Sequence, residues 1–219
     1  MTAALVSPVT ATYRVRLAQA LTRQSARIDT LWGQFDANAA TDTLAAIGSA
    51  AGPVVAGGQA AFMAETLAYL RALIAQHARV ALADVPPFTL PDGIAGIGAS
   101  GAPVGALTGI APRVYTQRRD SGWEHADAVS SARSWVDAVS VSEPYRAANA
   151  TVVDNAMRDR RLSGRIWRVP ESDACDFCQL ISDRGYSPAH AGFQAHAFCR
   201  CTAEPEIDDD VPFDDAGVD

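Results

Sequence analysis

Apolar residues recur at helical spacing over residues 10–35. Tyr13, Leu17, Leu21, Ile28, Leu31, Trp32 and Phe35 share a face, with Arg14, Arg16, Arg23 and Arg27 largely between them. The spacing predicts an amphipathic helix. A second tract over residues 58–83 carries Phe62, Leu67, Leu70, Leu73, Ile74 and Val80, and Pro53 with Gly57 and Gly58 is expected to break the alanine-rich approach to it. Residues 1–84 therefore read as N-terminal amphipathic helices forming a long hairpin or small bundle.

The periodicity is lost over residues 85–112, where Pro86, Pro87, Pro91 and Pro103 and six glycines cannot sustain regular helix. This stretch reads as a connecting segment, or as a surface whose alternating Ile and Gly residues pack against a partner. A helical pair is expected over residues 113–164. Its first member, capped at Asp120 or Ser121, places Trp123, Ala126, Val129, Ala132, Val136 and Val139 on one side. The second starts at Ser142-Glu143-Pro144 and passes through Tyr145, Ala148, Val152, Val153 and Met157 to Arg158, Arg160 and Arg161, with Gly164 as its stop. From Arg165 the pattern changes to short extended pieces and turns. The fold class expected is mainly α, a helical hairpin or bundle with a small C-terminal α+β module.

Composition narrows the class. At 219 residues, 48% hydrophobic and 20% charged, the chain is neither wholly disordered, nor collagen, nor a coiled-coil rod. The net charge of −7 is carried by the end of the chain: eight acidic residues follow Cys201 with no base, leaving 18 arginines against 17 acids before it. Residues 206–219 read as an acidic tail. No targeting peptide is visible, and the uncharged stretches at 43–64 and 93–112 are diluted by Gly, Pro, Ser and Thr, so no stable membrane association is expected.

All four cysteines fall near the C-terminal end, as Cys175-Asp176-Phe177-Cys178 and His196-Ala197-Phe198-Cys199-Arg200-Cys201. Two cysteines three apart turn both sulfurs onto one ion around a tight knuckle, and the second cluster adds an imidazole and two thiols. Such an ion would join distant pieces of residues 165–205, a stretch too short to build its own core. Cys175, Cys178, His196, Cys199 and Cys201 offer five ligands where tetrahedral zinc needs four. If residues 198–202 form a strand, Cys199 and Cys201 lie about 7 Å apart at their α-carbons, so one of them with His196, Cys175 and Cys178 is the preferred tetrad. Four cysteines are the second choice, and two disulfides or plain thiols compete with any metal. Four protein ligands make a structural site, since catalysis needs an open position and a base.

Catalytic candidates are few. His190 reads as a solvated loop residue, His77 and His125 as helix-surface residues, and no nucleophile elbow, zincin, Walker or dinucleotide motif appears. No catalytic or organic-cofactor residue is assigned. A zinc-dependent hydrolase, nuclease or peptidase, using His190 or His196 is the rival class, and a DNA-binding module a third. Arg113, Arg118, Arg119, Arg158, Arg160, Arg161, Arg165 and Arg168 read first as solvated faces and second as a surface for an acidic protein or DNA.

Trp167-Arg168-Val169-Pro170, Cys175-x-x-Cys178, Arg184-Gly185, His196-x-x-Cys199-Arg200-Cys201 and Pro205 together resemble the terminal region of the phage Mu F-like minor head proteins, in the form found in tailed phages of actinobacteria. The helix entered at Ser142-Glu143-Pro144-Tyr145-Arg146 resembles the one leading into that region. The resemblance implies a structural minor capsid protein of head morphogenesis, present in few copies per virion. It would contact the portal protein and major capsid protein, with packaged DNA as a further partner. Its place would be the capsid interior or portal vertex, after assembly in the host cytoplasm. It implies a metal-site role for the five Cys and His residues alone. Only the acidic tail follows Cys201 here, unlike relatives fused to proteases or toxin domains.

Overall fold

A computed structural model describes residues 7–193, 196 and 198–211. It is mainly helical, with α1 Pro8–Trp32, α2 Ala40–Ala78, α3 Val104–Thr108, α4 Ala111–Asp120, α5 His125–Arg158 and α6 Asp176–Ser182. A three-stranded antiparallel sheet follows α5, with β1 Leu162–Val169 between β2 Ser187–Pro188 and β3 Thr202–Ile207. The expected class, helices with a small C-terminal α+β part, is the one found.

Helix α1 begins where Ser7 accepts the Thr10 amide at 3.1 Å, with Pro8 in the first turn. Its buried face runs Tyr13, Leu17, Ala20, Gln24, Ile28 and Trp32, the steps of three and four that the pattern predicted.

Three readings of chain breaks are corrected. Pro53, Gly57 and Gly58 do not interrupt α2, which is continuous from Ala40. Pro53 and Ser49, whose carbonyl loses its helical donor to the proline, are both exposed, so water can serve that carbonyl. Nor does Pro144 start a helix: it lies inside α5, where Gln24 Nε2 of α1 donates to the Ser140 carbonyl at 2.6 Å and replaces the missing proline N–H. Gly164 does not stop α5, which ends at Arg158. It sits within β1 at φ +72°, where the register with β3 shifts between Leu162 and Ile166, a position glycine tolerates and L side chains rarely adopt.

The glycine- and proline-rich stretch is tied to its own helices. Gly96 N–H donates to Gln59 Oε1 at 2.7 Å, Ala99 N–H to Glu143 Oε1 at 3.2 Å, and both Gln59 and Arg146 donate to the Ile97 carbonyl. Further on, α3 lies against α2 at Gly48 and Gly52, where a β-carbon would come within 2.6 Å of α3 backbone atoms.

The core decides how the C-terminal part is held. Leu17, Phe62, Leu70, Tyr145 and Val152 from the helices form one cluster with Leu162, Ile166, Ala189 and Ala203 from the sheet region. The sheet therefore shares the helical core, contrary to the expectation that an ion alone would hold a stretch without one. A second cluster, with Ile28, Trp32, Leu44, Ile47 and Val136, fills the opposite end. The 42-residue stretch Ala37–Ala78 is long and apolar enough to cross a membrane, a test that the core helix of a folded protein also passes. Of the acidic tail, residues 206–207 belong to β3, and residues 212–219 lie outside the described residues.

Candidate metal centre

Past β1 the chain turns at residues 172–173 and enters α6 with Cys175 as its N-cap, in extended conformation at φ −67° and ψ 161°. That places Cys178 in the first helical turn, on the same side as Cys175. Cys175 is exposed and Cys178 buried. The other half returns through His196 and Phe198 to Cys199 and Cys201. Phe198 has φ +61°, a left-handed bend rare for an aromatic residue, and β3 begins only at Thr202. The strand considered for residues 198–202 is thus not formed. The bend instead lets Cys199 and Cys201 both turn inward, at 4% and 2% exposure.

All five predicted ligands converge. Their ligand atoms form two overlapping triads, Cys175–Cys178–His196 and Cys178–Cys199–Cys201, each mutually within 4.8 Å and sharing the Cys178 sulfur. His196 Nε2 lies 3.0 Å from Cys175 Sγ and 3.4 Å from Cys178 Sγ, and Cys178 Sγ lies 3.8 Å from Cys199 Sγ. Tetrahedral zinc with its usual bond lengths sets sulfurs roughly 3.8 Å apart, and a sulfur roughly 3.6 Å from a nitrogen. The arrangement can hold a metal ion. All four cysteines are free thiols, and 3.8 Å is far beyond the ~2.05 Å of a disulfide, so the disulfide reading does not describe this fold.

The sulfurs are electrostatically unequal. The Cys199 thiol is pulled down to about 5, first by its hydrogen bond from Cys201, with the Cys178 thiol and the Arg168 guanidinium adding to it. Cys201, the donor of that bond, is raised. Burial raises Cys178, whereas exposed Cys175 is lowered chiefly by the backbone amide of Cys178.

A cleft of about 410 Å³ opens beside the cluster, lined by Leu21 and Val141 as well as by the ligands. The acids on its wall are engaged: Glu171 pairs with Arg14 at 2.9 Å and Asp173 with Arg200 at 2.5 Å. His190 is exposed on the turn Ala189–Ala191 and belongs to neither triad. His77 meets Asp209 at 2.6 Å and His125 meets Tyr115 at 3.0 Å, both away from the thiols.

The arginines divide in a way the sequence reading did not foresee. Arg161 is 3% exposed, paired with Asp159 at 2.5 Å and placed over the Phe88 ring at 4.4 Å, so it forms no docking surface. Arg158 pairs with Asp154 at 2.9 Å on the surface. Arg168 is 6% exposed and reaches the cysteine cluster, with Nη1 3.6 Å from Cys178 Sγ and 3.8 Å from Cys199 Sγ. One sequence signal could have found it: Arg168 stands two residues from buried Ile166 in a strand, on the same face, shortly before Cys-x-x-Cys.

A family model described as VG15 protein matches residues 119–218, somewhat under half of the chain. The match takes in all of α5, the sheet and every candidate ligand, and it points to a phage-encoded protein. No curated protein matches the chain, and no solved structure does.

Proposed function

We propose that this chain is a structural minor head protein of a tailed phage, seated at the portal or on the inner face of the capsid, with a structural zinc ion in its Cys/His cluster. The observation that carries the reading is the overlap between the VG15 match at residues 119–218 and the convergence of the five ligand residues. Thiolate and imidazole donors suit zinc, which takes mixed sulfur and nitrogen ligands in tetrahedral structural sites. The tetrad we favour joins Cys175, Cys178 and His196 with Cys199, whose sulfur lies 3.8 Å from that of Cys178. Cys201 then stays behind Cys199 as a thiol donor. When bound, the ion supplies cross-linking, tying the start of α6 to the segment that enters β3.

Metal analysis of the purified chain, beside Cys175→Ser, tests the site. The expected result is one zinc per chain, lost in the variant; a metal-free chain that folds normally overturns it. Because the sheet shares its core with the helices, chelation should expose residues 171–201 to protease while α1, α2 and α5 keep their hydrogen-exchange protection. Mass spectrometry of purified phage particles tests the location. The chain should be found in them at low copy number and cross-link to the portal protein, and its absence from particles removes the head-protein reading.

A further inference from the structure

An arginine side chain stays charged at any pH a folded protein survives, and burying it is costly unless opposite charge lies beside it. Arg168, on β1 opposite Ala203 of β3, is nevertheless interior. Against it lie the sulfurs of Cys178 and Cys199, and the Phe193 ring, whose centroid is 4.0 Å from the guanidinium carbon. The aromatic face favours a cation and helps to fix its plane.

We propose that Arg168 is the built-in counter-ion of the metal centre, a positioning residue that holds Cys178 and Cys199 as metal-bound thiolates and so raises the affinity of the site. The inference rests on the zinc reading. Three thiolates and one imidazole around a divalent ion leave one net negative charge, located mainly on sulfur. A single guanidinium close to two of those sulfurs offsets it on the buried side of the cluster, at Cys178 and Cys199. Its N–H group also directs the sulfur lone pairs, which sets Cys178 and Cys199 apart from Cys201 as ligands. Elsewhere among the described residues, Arg161 plays a comparable interior part with a carboxylate partner, Asp159.

The test uses the full chain and cobalt(II), a zinc substitute whose visible and near-ultraviolet bands report tetrahedral geometry and thiolate ligation. Wild type, Arg168→Lys, Arg168→Met and Arg168→Gln are titrated with cobalt, and zinc affinity is measured by competition with a chromophoric chelator. Far-UV circular dichroism identifies the folded variants, and the two neutral replacements guard against one of them failing to fold. The neutral variants should bind about 10–100-fold more weakly, with wild-type thiolate-to-cobalt intensity, and the lysine variant should regain most of the loss. A folded neutral variant that binds as tightly as wild type overturns the proposal, as does a lysine variant no better than a neutral one. A wild-type chain that binds neither metal overturns the zinc reading itself and this proposal with it. Metal bound by wild type and equally by the neutral variants sinks only the role of Arg168.

Discussion

The side-chain amide of Asn149 on α5 grips the main chain on both sides of Thr202: Nδ2 donates to the Cys201 carbonyl at 3.0 Å, and Oδ1 accepts the Ala203 N–H at 2.8 Å. A carboxamide used in this way imitates a strand neighbour, so the helix pairs with the chain as it leaves the Cys/His cluster. Asn155 grips Thr89 alike, at 2.9 Å and 3.0 Å. Replacing Asn149 with alanine leaves a buried donor and a buried acceptor unserved, which should cost about 2–4 kcal/mol in urea unfolding. Asn149→Asp keeps the acceptor but buries a carboxylate whose second oxygen meets the Cys201 carbonyl oxygen, so its loss at neutral pH should equal or exceed that of alanine. Unchanged midpoints in both variants would remove Asn149 from the account of how Cys201 is placed.

Gln24 and Pro144 form a compensated pair. Gln24→Leu strands the Ser140 carbonyl and should destabilise the protein by about 1–3 kcal/mol. Pro144→Ala restores a helical N–H to that carbonyl, so Gln24→Leu in the Pro144→Ala background should cost less. A double-mutant cycle by urea unfolding should give a coupling of about 1 kcal/mol. Additive effects would show that the proline and the glutamine act separately.

Two glycines of α2 should respond oppositely to alanine. A β-carbon on Gly57 meets nothing within 4 Å, so Gly57→Ala should gain the intrinsic helix preference of about 0.5–1 kcal/mol. On Gly52 the same atom comes 2.6 Å from the Gly105 α-carbon, backbone that must shift, so Gly52→Ala should lose about 1–3 kcal/mol despite its better propensity. Thermal melts of the two variants check the sign, and a stabilised Gly52→Ala would mean that α3 can yield.

Glu204 ties the last strand to the first helix, accepting from Thr10 Oγ1 at 2.9 Å. Burial raises its pKa above the ordinary carboxylate value, and the Thr10 bond offsets only part of this. Because the folded state holds this proton more tightly than the unfolded state, its contribution is full below the unfolded pKa. It is lost as pH rises through the folded pKa. Glu204→Gln, which keeps an acceptor for Thr10, should flatten that fall and raise stability at neutral pH relative to wild type. Melting curves between pH 4 and pH 8 (roughly the carboxylate window and above) provide the measurement, and parallel profiles would refute it.

Local spacing made several features legible. Two sulfurs three residues apart at a helix start, and a second cluster with His196, Cys199 and Cys201, predict a common centre because ligand geometry there is set within a few bonds. The buried face of α1 was readable for the same reason, since 3.6-residue periodicity is a property of the segment itself. Pro53 and Pro144 misled because proline's local cost was visible but its remedy was not. For Pro144 the donor is Gln24, 116 residues before Ser140, and for Pro53 it is exposure to water.

Residue types and their intervals were therefore enough to specify a mainly helical chain ending in a cysteine- and histidine-rich centre, because both are short-range properties. Folding alone chose which charges went inside, sending Arg168 to the sulfurs and Arg161 to Asp159 while Arg158 stayed at the surface. It also merged the sheet with the helical core through Ile166 and Ala203. Desolvation and long-range packing depend on neighbours brought together from far along the chain, and no spacing within a segment encodes them.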